Sequence, residues 1–219
     1  MVNDPKDHPF NEVRDLGIAL RTIQGERQIH IGLLYKLEAK DTQLLNLRHH
    51  LDLKNELPSD QYRWLQVNLD EINRRTLVAL CRLIANKSKN IPFGFTYTGV
   101  YFTHSGDYIS QDFGHGLTCA TFVMAVFATY SIPILRIEEW QRRPNDLIWQ
   151  TGQVNIIEAR YGSFVAAAIA DHIGNPRFLP EEVAAGSVSA NRPLGFNEAE
   201  PLGRRIRRDL IRSYGGKIP

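Results

Sequence analysis

The chain has 219 residues, 43% of them hydrophobic and 23% charged, with a formal net charge of +2, which suits one ordinary globular domain and offers no global basic field for nucleic acid. No apolar run has the length of a bilayer span, and residues 1–8 lack the apolar segment of a signal peptide, so the reading is a cytoplasmic protein with no membrane span. Two cysteines, Cys81 and Cys119, give no disulfide framework; without paired Cys or His-x-x-x-His spacing no metal is expected, and no cofactor either.

Residues 17–23 and 29–37 predict two short strands joined by a turn at 24–27, and residues 43–54 predict a third after a polar turn at 38–41. In the third, Leu45, Leu47, His49, Leu51 and Leu53 alternate with Asn46, Arg48, His50, Asp52 and Lys54, so His49 points with the apolar set and His50 with the polar one. Residues 61–67 predict a fourth strand. Asn68 is then expected to cap a helix whose apolar positions Leu69, Ile72, Leu77, Leu80, Leu83 and Ile84 recur at helical spacing, with Cys81 as core filler.

An irregular, aromatic loop from 91 to 116 delivers the chain to Gly114-His115-Gly116-Leu117-Thr118-Cys119. There a glycine-flanked turn, with Thr118 as N-cap, leads into a helix over 118–130 that is apolar nearly all round and is expected to be the element the sheet packs on. Residues 138–144 read as a surface segment, 163–173 as an alanine-rich helix, and residues from Pro180 as a short helix. The stretch from 191 onward reads as a loosely ordered basic tail, with Arg204, Arg205, Arg207, Arg208 and Arg212 on a short helix.

A thiol in the first turn of a helix faces unpaired N–H groups and the positive end of the dipole, so Cys119 is expected to have a lowered pKa and to serve as a nucleophile. An imidazole would take and return the proton; His49 and His50 lead, and His172 is the choice if the base follows the nucleophile in the chain. His104 and His115 lie in the adjoining loop. Gln111 is a candidate oxyanion donor beside the helix-start N–H groups, and Gln66 and Asn68 are candidates for a third residue that orients the base.

The order of these parts is distinctive: antiparallel strands with a histidine, a strand bearing Trp64, a helix, the phrase Ile91-Pro92-Phe93-Gly94-Phe95, and a glycine-led Cys119-Ala120-Thr121-Phe122-Val123 helix. It resembles the circularly permuted NlpC-type papain-like thiol hydrolases, the group that includes YiiX-like proteins and relatives of lecithin:retinol acyltransferase, over about residues 15–135. In that group the histidine strand precedes the cysteine helix and reads Ser/Thr-His-Val-Gly; the strand taken here reads Arg48-His49-His50-Leu51. The resemblance implies an α+β fold in which an antiparallel sheet packs on a buried central helix. The division expected is an N-terminal tail at 1–14, a papain-like core at 15–135, a helical extension at 136–190 and a basic tail at 191–219. It implies a cysteine peptidase, amidase or acyltransferase acting on a peptide or acyl substrate through a thioester. Two readings from other classes stand beside it: a binding protein on the same scaffold with Cys119 buried, and a phosphate or RNA binder using the C-terminal arginines.

Overall fold

A computed structural model describes residues 2–23, 28–37 and 41–215. The protein is α+β. Strands β1 (Leu16–Thr22), β2 (Ile29–Tyr35), β3 (Gln43–His49), β4 (Asp52–Glu56) and β5 (Arg63–Gln66) form one antiparallel sheet in the order β4-β3-β2-β1-β5. Six helices follow: α1 (Glu71–Lys87), α2 (Cys119–Ala128), α3 (Pro144–Tyr161), α4 (Ser163–Ala170), α5 (Pro180–Val188) and α6 (Phe196–Ser213). The turn expected at 24–27 and most of the one at 38–41 lie outside the described residues.

The strands alternate between two faces, both covered in the centre of the sheet. Ile18, Leu20, Ile31, Leu33, Leu45 and Leu47 face the main core with α1, α2 and α5, while Ala19, Leu34 and Leu44 turn to the opposite face and pack with Val13, Tyr62 and Trp64. Every residue of α2 from Ala120 to Phe127 is buried, which confirms the central helix; Phe122 and Phe127 are fully enclosed, each burial stabilising the fold by roughly 1.5–3 kcal/mol. Cys81 lies in the same core, fully buried.

The strand expected over 43–54 is two strands. β3 turns back through His50 and Leu51, whose φ of 57° lies in the left-handed region, and β4 pairs with β3 so that Leu47 sits opposite Leu53. Directly opposed residues share a face, so the leucine alternation runs on through the hairpin and mimics one long strand. The cap of α1 is Asp70, which accepts the Asn73 N–H, two residues beyond the expected Asn68. α3 falls within the expected helical extension but in a stretch where no individual helix is placed by the sequence: Pro144 stands at its start and Asp146 accepts the Arg143 N–H.

The described residues toward each end are tied to the fold. Asn3 exchanges backbone hydrogen bonds with Trp64, Asp4 pairs with Arg63 at 3.0 Å, and the Trp64 indole donates to the His8 carbonyl at 2.8 Å. Instead of a loose tail, residues 196–213 form α6, seated on α5 through Phe196, Ala199, Gly203 and Leu210, with Arg207 paired to Glu181. Its arginines line the solvent side of an amphipathic helix. Among the described residues no helix is long and apolar enough to cross a membrane.

Candidate active site

Cys119 is the first residue of α2. Thr118 caps the helix through a reciprocal pair, its hydroxyl accepting the Thr121 N–H at 3.2 Å while the Thr121 hydroxyl accepts the Thr118 N–H at 2.8 Å. That box uses two of the free N–H groups and leaves those of Cys119 and Ala120 facing the sulfur. The turn before it is anchored where Leu117 donates to the Pro92 carbonyl at 2.8 Å.

The sulfur enters the sheet where two strands part. β2 and β3 pair only over Leu33–Tyr35 with Gln43–Leu45, so the ladder stops short of Ile31. The Ile31 N–H, beyond the end of the β2–β3 ladder among the described residues, lies near enough to Cys119 to favour its thiolate. That N–H belongs to the peptide joining His30 to Ile31, and His30, its ring edge-on to Tyr62, lines the same cavity as Cys119. His30 is 4% exposed, and its Nε2 lies 3.0 Å from Asn46 Oδ1. Asn46 turns its amide nitrogen to the Glu56 carboxylate at 3.4 Å, which fixes its oxygen toward the imidazole. Neutral His30 therefore carries its proton on Nε2 and leaves Nδ1 as the basic nitrogen.

A cavity of about 240 Å³ is lined by Cys119, His30 and His49 together with Gln28, Trp149, Gln153 and Arg177. His49 thus shares the cavity with Cys119, its ring stacked near Phe93 and Tyr161 and its Nδ1 buried without a hydrogen-bond partner. His50 lies off the cavity wall. Its Nδ1 accepts the Phe93 N–H at 3.2 Å and its carbonyl accepts the Tyr161 hydroxyl, so it ties the β3–β4 hairpin to the loop that anchors the cysteine turn. Gln111 sits apart, its amide donating to the Ile109 carbonyl two residues away. The amides at the cavity are Gln28 and Gln153 instead. Gln66 is consumed by the carbonyls of Arg14 and Leu16, the Asn68 carbonyl accepts from Arg192, His104 stacks on Tyr130, and His172 packs against His115.

The expected depression of the thiol pKa is opposed by burial of the sulfur, although Cys119 as a residue is half-buried. Burial pushes Cys119 up, opposed by the Ile31 N–H, Arg177 and the N–H groups of the helix start. Burial likewise pulls His30 down to about 4, against the bond to Asn46. At neutral pH the cavity therefore holds a thiol and a neutral imidazole, so a nucleophilic attack by the sulfur must give up its proton as it proceeds. A larger groove, about 1110 Å³, lies between α1 and the ends of β1 and β2, but no cysteine or histidine stands among the described residues lining it.

His30, Asn46 and Arg177 escaped the sequence reading. The signal for the first was present: His30-Ile31-Gly32 is a His-aliphatic-Gly run on the strand before β3, and Gly32 lets Asn46 approach, since a Cβ there would meet the Asn46 Cβ at 2.8 Å. No protein-family model, no curated protein and no solved structure matches this chain.

Proposed function

We propose that the protein is a cysteine-dependent hydrolase that cleaves an amide or ester through a thioester, with Cys119 as nucleophile, His30 as base and Asn46 as the residue that holds His30. The observation that carries this reading is that Cys119, at the tip of α2, and His30, whose Nε2 is held by Asn46, line one cavity. Sulfur attacks the acyl carbon while its proton passes to His30 Nδ1; the tetrahedral oxyanion rests on the N–H groups of Cys119 and Ala120. The C–N or C–O bond then breaks and the departing amine or alcohol takes the proton back from His30. Water, deprotonated by the same nitrogen, cleaves the thioester to a carboxylic acid and restores the thiol. The reading is a papain-like chemistry with the base ahead of the nucleophile in the chain, and two unpaired cysteines suit a reducing, cytoplasmic setting.

Incubation with p-nitrophenyl acetate at about pH 8, followed by acid quench and mass spectrometry, tests it. One acetyl group should accumulate on Cys119 and none on Cys81, and hydroxylamine should remove it. Acetylation absent from Cys119, or equally fast in His30→Gln, would sink the reading in favour of a binding protein on this scaffold.

A further inference from the structure

The charge of the cavity wall extends the hydrolase reading, on which this inference rests, to the class of substrate. Three guanidinium groups, Arg48, Arg160 and Arg177, line the cavity around Cys119, and among the described residues on its wall there is no Asp or Glu. Arg48 is held by Glu56, and Arg160 stands at the exposed rim.

Arg177 differs from both. Its guanidinium carbon lies 3.8 Å from the centroid of the Trp149 ring, and it is close enough to the thiol to favour the thiolate. Stacking occupies the flat face of the guanidinium and leaves its in-plane N–H fork open. The carboxylates nearby are engaged elsewhere: Asp146 takes the Arg143 N–H at 2.9 Å, Glu181 pairs with Arg207 at 2.9 Å, and Glu182 pairs with Arg143. Asp146 and Glu181 favour its charge, yet neither bonds its guanidinium among the described residues. The indole N–H of Trp149 is also buried without an acceptor. Burial lowers Arg177 to about 10, which keeps it a cation at neutral pH. Beyond it a second groove of about 600 Å³ continues along Trp149, Gln153 and Ile156, so Arg177 stands where the Cys119 cavity opens into a longer cleft.

We propose that Arg177 receives a carboxylate of the substrate, and that the bond cleaved at Cys119 is an amide or ester next to that carboxylate, as in a peptide fragment with a free carboxyl group beside the scissile linkage. The open, planar fork of Arg177 matches the two oxygens of a carboxylate.

Iodoacetate and iodoacetamide react with a thiolate at the same carbon and differ only in carrying a carboxylate or an amide. The ratio of their rates at Cys119, read by mass spectrometry on the full chain, therefore measures the anion site without requiring turnover. In the folded wild type the iodoacetate-to-iodoacetamide ratio should exceed that of the urea-unfolded chain by about tenfold and shrink as salt is added. Arg177→Gln should bring it close to the unfolded value, Arg177→Lys should keep part of it, and Arg160→Gln at the exposed rim should lower it by much less than Arg177→Gln. A folded wild-type ratio equal to the unfolded one overturns the carboxylate site while leaving the nucleophile intact, and needs no variant to fold. A raised ratio indifferent to both Arg177 changes overturns the assignment to Arg177. Failure of either reagent to reach Cys119 in the folded protein, with normal reaction after unfolding, removes the nucleophile and this inference together.

Discussion

His30 Nε2 and Asn46 Oδ1 lie 3.0 Å apart on neighbouring strands, just past the point where the β2–β3 ladder ends. The pair fixes which imidazole nitrogen is basic, and the sulfur waits at the peptide that follows His30. His49 shares the cavity, but among the described residues its buried Nδ1 has no hydrogen-bond partner. Turnover of an ester substrate should therefore fall by about 10²–10⁴ in His30→Gln and by less than about tenfold in His49→Gln. Initial rates of p-nitrophenol release decide it, and the opposite ranking would move the base role to His49.

Asn46 acts through His30 and should betray this in the pH profile. Asn46→Ala strips a buried imidazole of its acceptor, at a cost of about 1–3 kcal/mol in stability and with a lower rate at all pH values. Asn46→Asp keeps the acceptor and adds a negative charge, which favours the imidazolium, so the acidic limb of the rate profile should move to higher pH. A profile in Asn46→Asp that superimposes on the wild type would reduce Asn46 to a packing residue.

Much of this fold is legible in the sequence, because residues 118–128 have no polar face and so must be enclosed, and because the early strands alternate. The helix tip that carries Cys119 follows from Thr118 and the turn before it. What the sequence hides is pairing. Leu51 and Leu53 continue an alternation that physically belongs to two strands, and the same misreading draws attention to the histidines of the hairpin instead of to His30. His30 sits in a strand that reads as ordinary apolar β, and its importance depends on Asn46 arriving opposite it, 16 residues later. Arg177 becomes visible only when the chain between α4 and α5 is laid over Trp149. The helix-start argument for an acidic thiol is sound locally; burial against β2 outweighs it.

His30 also links the site to stability. Its pKa is about 4 in the folded protein and about 6.5 when unfolded, so between those values the unfolded chain binds the extra proton. Its contribution is fully present above about pH 6.5 and is lost as the pH falls toward 4, amounting to about 3 kcal/mol below both values. Glu182 works the other way. Burial raises its carboxyl to about 7 despite the Arg143 partner, so acidification from about pH 7 relieves a buried charge and regains stability. Urea midpoints of the wild type alone will therefore understate the His30 effect. The difference between wild type and His30→Gln should shrink on going from about pH 7.5 to pH 4.5, and a constant difference would show that His30 does not titrate in this range.

The cysteine turn depends on two glycines that cross. A Cβ on Gly94 would lie 2.4 Å from the Gly116 nitrogen, and a Cβ on Gly116 would lie 2.2 Å from the Pro92 carbonyl oxygen. Both obstacles are backbone, so neither can swing aside, and the contact they protect is the one from Leu117 to Pro92 that anchors the start of α2. Gly94→Ala and Gly116→Ala should each destabilise the fold by about 1–3 kcal/mol, the usual scale of overpacking, and should slow acetylation of Cys119 in the molecules that still fold. Gly99, with nothing within 4 Å of its added Cβ, is the matched control despite its positive φ of 105°: Gly99→Ala strains the backbone but leaves the cysteine turn alone. Thermal unfolding paired with the acetylation rate separates the two effects. If Gly116→Ala lowers the melting temperature while Cys119 reacts at the wild-type rate, the crossing supports the fold without setting the position of the sulfur.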